Sequence, residues 1–276
     1  MSVSAQVPSE RALADRRTAG RAVSGRRVAW GIGFRGTRAW LLSPPFFLIT
    51  LLFPLIFLAA FSGALAPLHR LHGFAYPEGY TAFIYGFVIV QAAAFGGIFT
   101  GYSTARDFEI GFAPRLFLAT RRRAPIIAGY MVVAVVRSLI AVAVLTVVAL
   151  LAGMRTDVGL TQIGGLVALV VLVAAIASLW ACGIAMRFRA TGSGPFMYTP
   201  ILVVLFLTPV YGPAALLPGW LGSVVQLNPM TYVVQGSRSL LAGGNQSVGR
   251  GFLLGAALLA VASVWAVLGV RAAEHG

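Results

Sequence analysis

Six stretches of this chain, roughly 46–65, 81–104, 126–152, 160–186, 196–211 and 251–271, are apolar for close to the length of a membrane crossing. Crossing about 30 Å of hydrocarbon takes about 20 apolar residues as a helix. In lipid only helices and closed barrels satisfy every backbone N–H and C=O group. The runs are continuously apolar and lack the alternation of a barrel strand. The chain is therefore read as an all-α membrane protein with six transmembrane helices. The fifth run is the shortest, because Pro209 and Pro213 interrupt it. With 10% charged residues, against about 25% in a soluble domain, too few charges remain for a large water-facing surface.

The placement of charge orients these helices. All 21 basic residues are arginine, and the net charge is +14. Sixteen arginines precede the first run, lie in the loops 105–125 and 187–195, or follow the last run. Four, Arg70, Arg155, Arg238 and Arg250, fall on the other side, and Arg137 lies inside the third run. Cytoplasmic segments carry the excess of positive charge, so both termini are expected in the cytoplasm. In a soluble protein such a balance suggests nucleic acid. No basic stripe interleaved with exposed aromatics is present, so the expected partner is the lipid bilayer and not nucleic acid. Residues 1–25, rich in Ser, Ala and Arg, read as a disordered cytoplasmic tail. Residues 26–42 mix Arg with Trp30, Phe34 and Trp40 and predict an interfacial helix that ends at Ser43-Pro44-Pro45. The first apolar run is too long for a signal peptide and has no small-residue cleavage site.

The segment 212–250 is apolar at Leu216, Leu217, Trp220, Leu221 and Val224 and broken by Pro and Gly. It predicts an external re-entrant helical hairpin between spans five and six. Pro218 and Gly219 suit the reversal, and Trp220 suits the interface.

Several motifs carry less than they suggest. Gly31, Gly33 and Gly36 match GxGxxG, but a dinucleotide site needs a strand before it and an acid about 20 residues on. Residues 241–246 (LAGGNQ) are similar to an ATPase signature, with one residue too many and on the external side. A phosphate-binding loop also needs a Lys, and this chain has none. No catalytic residue, metal site or cofactor is therefore expected in this chain. His69, His72 and Glu78 supply too few ligands for zinc, and Cys182 stands alone. Asp107 and Glu109, two apart on a helix, point to different faces and read as a salt-bridged helix with Arg106. Gly97-xxx-Gly101 and Gly251-xxx-Gly255 permit close helix packing. Arg137, an intramembrane charge costing about 2.5–3.5 kcal/mol, is expected either to face protein or a water-filled cavity, or to snorkel to the surface.

Three segments, in order, resemble the permease subunits of type-2 ATP-binding cassette (ABC) exporters, in their daunorubicin-resistance branch. Arg106-Asp107-Phe108-Glu109-Ile110-Gly111, with Leu116, Thr120 and Arg123, looks like the family's cytoplasmic segment between spans two and three. Phe206-Leu207-Thr208-Pro209 closes span five. Leu217-Pro218-Gly219-Trp220-Leu221 is followed by Asn228-Pro229-Met230-Thr231-Tyr232 and Arg238. The likeness runs from about residue 26 to 271, so 26–276 is read as the transmembrane domain. Two departures stand out: Arg121 follows Thr120 where relatives often have Pro, and Pro114 falls inside the cytoplasmic helix.

The resemblance implies a permease dimer, made with a second copy or a paralogue. It also implies two separate ABC ATPase subunits that hold ATP and Mg, in a bacterial plasma (inner) membrane. The cargo would be a hydrophobic or amphipathic drug, lipid or glycolipid. The segment joining spans two and three carries charged Arg106, Asp107 and Glu109 beside apolar Phe108, Phe112 and Leu116, and includes Gly111. It is the expected ATPase-coupling site, where apolar side chains fill a groove and charges fix orientation. Pro218, Gly219, Trp220, Asn228, Pro229 and Tyr232 are the expected hairpin residues. An ion-coupled secondary transporter is the alternative. It would be expected to show internal repeats and buried acids near the midplane, whereas all seven acids lie outside the apolar runs.

Overall fold

The computed structural model describes residues 25–64, 76–119, 123–156, 158–210, 212 and 219–275. The expected disordered tail, His69, His72, Thr120, Arg121, Arg122, Pro213 and Pro218 lie outside the described residues. Within them the fold is helical, without strands. The helices are α1 (Gly25–Leu41), α2 (Pro44–Ala64), α3 (Gly79–Glu109), α4 (Phe112–Ala119), α5 (Ala124–Leu151), α6 (Leu160–Phe188), α7 (Gly194–Phe206), α8 (Gly219–Leu227), α9 (Pro229–Leu241) and α10 (Val248–His275).

Five of them, α2, α3, α5, α6 and α10, are long and apolar enough to cross a membrane. The fifth expected span is α7, which has only 13 residues. At 1.5 Å per residue it reaches about 20 Å, short of about 30 Å of hydrocarbon. α3 is longer than expected. Its 31 residues take in Arg106 to Glu109, so the start of the expected loop is the last turn of a spanning helix. No breaker occurs before Gly111, whose φ of +74° is left-handed and suits a residue without a Cβ. Pro114 does not break α4, because it occupies the first turn, where the missing N–H has no helical partner to lose.

α3 is the centre of the bundle. In its most apolar 18-residue stretch 94% of residues are buried, against 28% in those of both α2 and α10, which keep broad apolar faces for lipid. Small residues set its closest contact. A Cβ on Gly97 would stand 2.6 Å from both the Ala177 Cβ and the Ser178 N of α6. Gly101 meets Ala181 on the next turn. At the second glycine pair, a Cβ on Gly251 would lie 2.8 Å from the Tyr232 carbonyl oxygen. Both pairs are packing sites, as their spacing permits.

α1 has a different course from a helix lying flat across the bundle. Gly25 meets Pro125, Gly33 meets Val132, and the Trp40 ring lies 5.2 Å from the Arg137 guanidinium carbon. It therefore climbs the flank of α5 over several turns. Gly33 and Gly36 of the GxGxxG motif are the contact. A Cβ there would stand 2.8 Å from the Val132 side chain and 2.6 Å from that of Val133. Trp30 and Phe34 remain exposed on the outer face.

Filling the α3–α6 contact should be costly. Gly97→Leu is expected to destabilise the protein by about 1–3 kcal/mol or more, the range for overpacked cores. Gly63→Leu, at a position with open space around it, should be neutral. Thermal unfolding of the two variants in detergent checks this.

Candidate functional site

Polar contacts gather at the two ends of α3. At the arginine-rich end, the Arg35 Nη2 of α1 donates to Asp107 Oδ2 at 2.5 Å, and the Tyr130 hydroxyl of α5 donates to the same oxygen at 2.9 Å. Asp107 is buried, and this arrangement joins α3 to α1 and α5. Arg35 also lies over the Phe112 ring, 3.7 Å from its centroid. Glu109 reaches across the bundle instead. Its Oε1 accepts from the Thr191 N–H at 2.7 Å and the Thr191 hydroxyl at 2.9 Å. The two carboxylates do point to different faces, as their spacing requires.

The aromatic residues of the expected coupling segment are turned inward. Phe108, Leu116 and Phe117 pack on a cluster containing Ile32, Ile126, Met186 and Val270. Arg123 donates to the Phe117 carbonyl and lies over its ring. The large apolar side chains presented outward are Ile110 and Leu118, 62% and 89% exposed, together with charged Arg106 and Arg115. Sequence reasoning missed Ile110 and Leu118 as outward residues. A helical wheel drawn from Gly111 onward would have separated Leu118 from Leu116 and Phe117. It also missed Arg35 and Tyr130, which come from elements distant in sequence.

Arg137 is 3% exposed. It faces the interior beside Trp40 and does not snorkel. Among the described residues it has no hydrogen bond or ion pair, and its Nε is buried without a partner.

At the opposite end the chain after α7 turns back through α8 and α9. Asn228 joins three helix ends. Its Oδ1 accepts from the Met230 N–H at 3.0 Å and caps α9, while its Nδ2 donates to the Val204 carbonyl at 2.6 Å and the Leu207 carbonyl at 2.9 Å. Pro229 is the first residue of α9, where it loses no helical bond. Thr231 donates to the Val225 carbonyl, and Tyr232 to that of Gln226. The Asn-Pro-x-Thr-Tyr sequence thus satisfies carbonyls left open by the ends of α7 and α8.

Arg238, counted on the external side, lies on a packed helix at this end. It is 6% exposed on α9. Its guanidinium donates to the carbonyls of Phe83 at 2.9 Å, Pro209 at 2.8 Å and Val210 at 3.1 Å. Its carbon lies 3.5 Å from the Phe83 ring centroid. Ser237 donates to the Gly86 carbonyl at 2.7 Å. Gly86 is required because a Cβ would stand 2.7 Å from Arg238 Cγ. Tyr76 donates to the Arg238 carbonyl at 2.6 Å. Burial pushes this phenol well above its ordinary pKa, against the opposing pull of Arg238. Gly219 opens α8, and Trp220 in its first turn is 72% exposed.

Residues 30–242 match the ABC-2 type transporter family. The chain is also 29% identical, over 218 residues, to the daunorubicin resistance ABC transporter permease protein DrrB1 of Streptomyces coeruleorubidus, an alignment covering 78% of this chain and 74% of that protein.

Removing the Asn228 side chain abolishes one cap and leaves two carbonyls open. Asn228→Ala is expected to cost about 2–4 kcal/mol. Tyr232→Phe, which loses one bond at an exposed site, should cost less than about 1 kcal/mol. Unfolding temperatures in detergent should rank the two in that order.

Proposed function

This chain belongs to the ABC-2 type transporter family, and from that premise we propose that it is the membrane subunit of an ATP-driven exporter. ATP and Mg are held and turned over by two separate ABC ATPase subunits, and a second permease copy or paralogue completes the complex. The observation that carries this reading is the family match, which spans most of the helical bundle. The name of the DrrB1 relative supports a drug-like cargo. So does a recess of about 310 Å³ walled by Trp180, Ile201, Leu205, Met230, Leu258 and Trp265, which is apolar throughout. The cargo class is hydrophobic or amphipathic.

The arginine-rich end is cytoplasmic in this reading. α1, the start of α5, the end of α6 and the end of α10 meet there in one cluster. α6 ends at this end and α10 begins at the other, so the chain between them makes a crossing. α7 takes part in that sixth span, and α8–α9 form the re-entrant hairpin. Trp220 anchors it at the outer interface, and Gly219 opens α8. A Cys placed at Gly244 should be labelled from outside in intact cells, and one at Ala124 should not. The reverse pattern would overturn the orientation.

The segment from Arg106 to Leu118 is the transmission site. α4 lies between two spans in the chain and joins α3 through a turn at Gly111, so force on it reaches both. Its outward set is Arg106, Glu109, Ile110, Arg115 and Leu118, while Asp107, Phe108, Phe112 and Leu116 hold it to the bundle. Leu118→Asp and Arg115→Glu should each uncouple or detach the ATPase while the permease still inserts. Asp107→Arg should instead disturb the bundle by breaking the bond to Arg35. If the first two variants assemble and retain substrate-stimulated ATPase activity, transmission lies elsewhere.

A further inference from the structure

We propose that a cavity between α1, α2, α3 and α5 binds the phosphate of an anionic lipid headgroup, with Arg137 as its principal ligand. The cavity measures about 290 Å³. That is at the low end of the about 300–1,000 Å³ of small-molecule sites, enough for a headgroup but not a whole amphiphile. Its polar lining includes Arg35, Trp40, Thr50, Arg106, Asp107 and Arg137.

The unsatisfied groups on this lining share one character. Arg35 Nε, Trp40 Nε1 and Arg137 Nε are all buried and all lack a partner among the described residues. All three are N–H donors, so the missing group is an acceptor. The charge balance agrees. Three guanidinium groups line the cavity against one carboxylate, and Asp107 Oδ2 already accepts from Arg35 and Tyr130. A buried charge without a counter-ion is costly, and Arg137 is the residue left in that state. Guanidinium groups suit phosphate, because their N–H groups bond two oxygens at once.

The depth of the cavity favours a lipid as the source of the phosphate. Ser43, just before α2, and Thr50 of α2 line it, at the start of that helix's apolar run. Thr100 and Ser103 line it from α3, where that apolar run ends. The site therefore lies at the boundary of the apolar zone, beside a helix whose outer face exposes Trp30 and Phe34. The proposal uses the packing of α1 along α5. It does not depend on coupling to an ATPase.

Native mass spectrometry of the purified full-length chain tests this, with phosphatidylglycerol or phosphatidylcholine of identical acyl chains. The wild type should retain one phosphatidylglycerol under conditions that strip phosphatidylcholine. Arg137→Leu should weaken that retention about tenfold, the effect of losing a charge-assisted bond. Arg137→Lys should keep most of it, and Trp40→Phe, which keeps the ring and removes the N–H, should lose less than Arg137→Leu. Arg137→Leu removes an unpaired buried charge, so its fold should survive, and its unfolding temperature serves as the control. Displacement by excess inorganic phosphate would keep the anion site but assign it to the free ion. Equal retention of both lipids by the wild type, or no change in Arg137→Leu, overturns the proposal. The measurement needs no ATPase, so that failure would leave the exporter reading untouched.

Discussion

Between α7 and α10 the chain is broken into short helices, and each break frees carbonyl groups that apolar surroundings cannot hydrate. Asn228, Thr231, Tyr232 and Arg238 satisfy carbonyls of Val204, Leu207, Pro209, Val210, Val225 and Gln226. A continuous span would need none of these bonds. A broken one needs donors that arrive from the next element, and α9 is the element that carries them. The buried charge of Arg238 is tolerable for the same reason. Its three carbonyl partners replace the water that a guanidinium loses on burial.

The same rule, that buried polar groups must be paired, organises the other end differently. There the helices are long and intact, and the groups needing partners are carboxylates. Asp107 takes donors from α1 and α5, and Glu109 takes them from the turn before α7. Two acids two residues apart thus tie the end of α3 to three other parts of the chain. Arg35 is partly exposed, so its ion pair is screened and contributes less than a fully buried one. Its value is positional: it holds α1 against α3 and keeps Phe112 beneath it.

Much of the fold was legible because lipid imposes a length and composition that the chain displays openly. Five of the six apolar runs became helices long enough to cross, with ends near those expected. α7 fell short of a crossing: its helix ends at Phe206, three residues before Pro209. The glycine pairs could be read as contacts but not assigned partners, since spacing on one helix says nothing of its neighbour. The burial of Arg238 was not legible for a related reason: the arginine count gives the end at which it lies, but not the backbone carbonyls that replace its water. Inward Phe117 and outward Leu118 are adjacent in sequence, and only the turn at Gly111 determines which faces the bundle.

α3 connects these two polar ends. With 31 residues it is about 46 Å long, and it is buried along almost its whole length. At one end it holds Asp107 and Glu109. At the other, its Phe83 and Gly86 carbonyls accept from Arg238 and Ser237. Between them, glycines at 96, 97 and 101 bring it against α5 and α6 closely enough that side chains cannot yield. Such contacts resist sliding, because close-packed surfaces have few neighbouring arrangements available. A displacement applied at α4 is then carried by tilt of a rigid helix rather than by a relay of side-chain shifts. Under the exporter reading, the hairpin end would move with the cytoplasmic end because Arg238 is fastened to the same helix that Asp107 anchors.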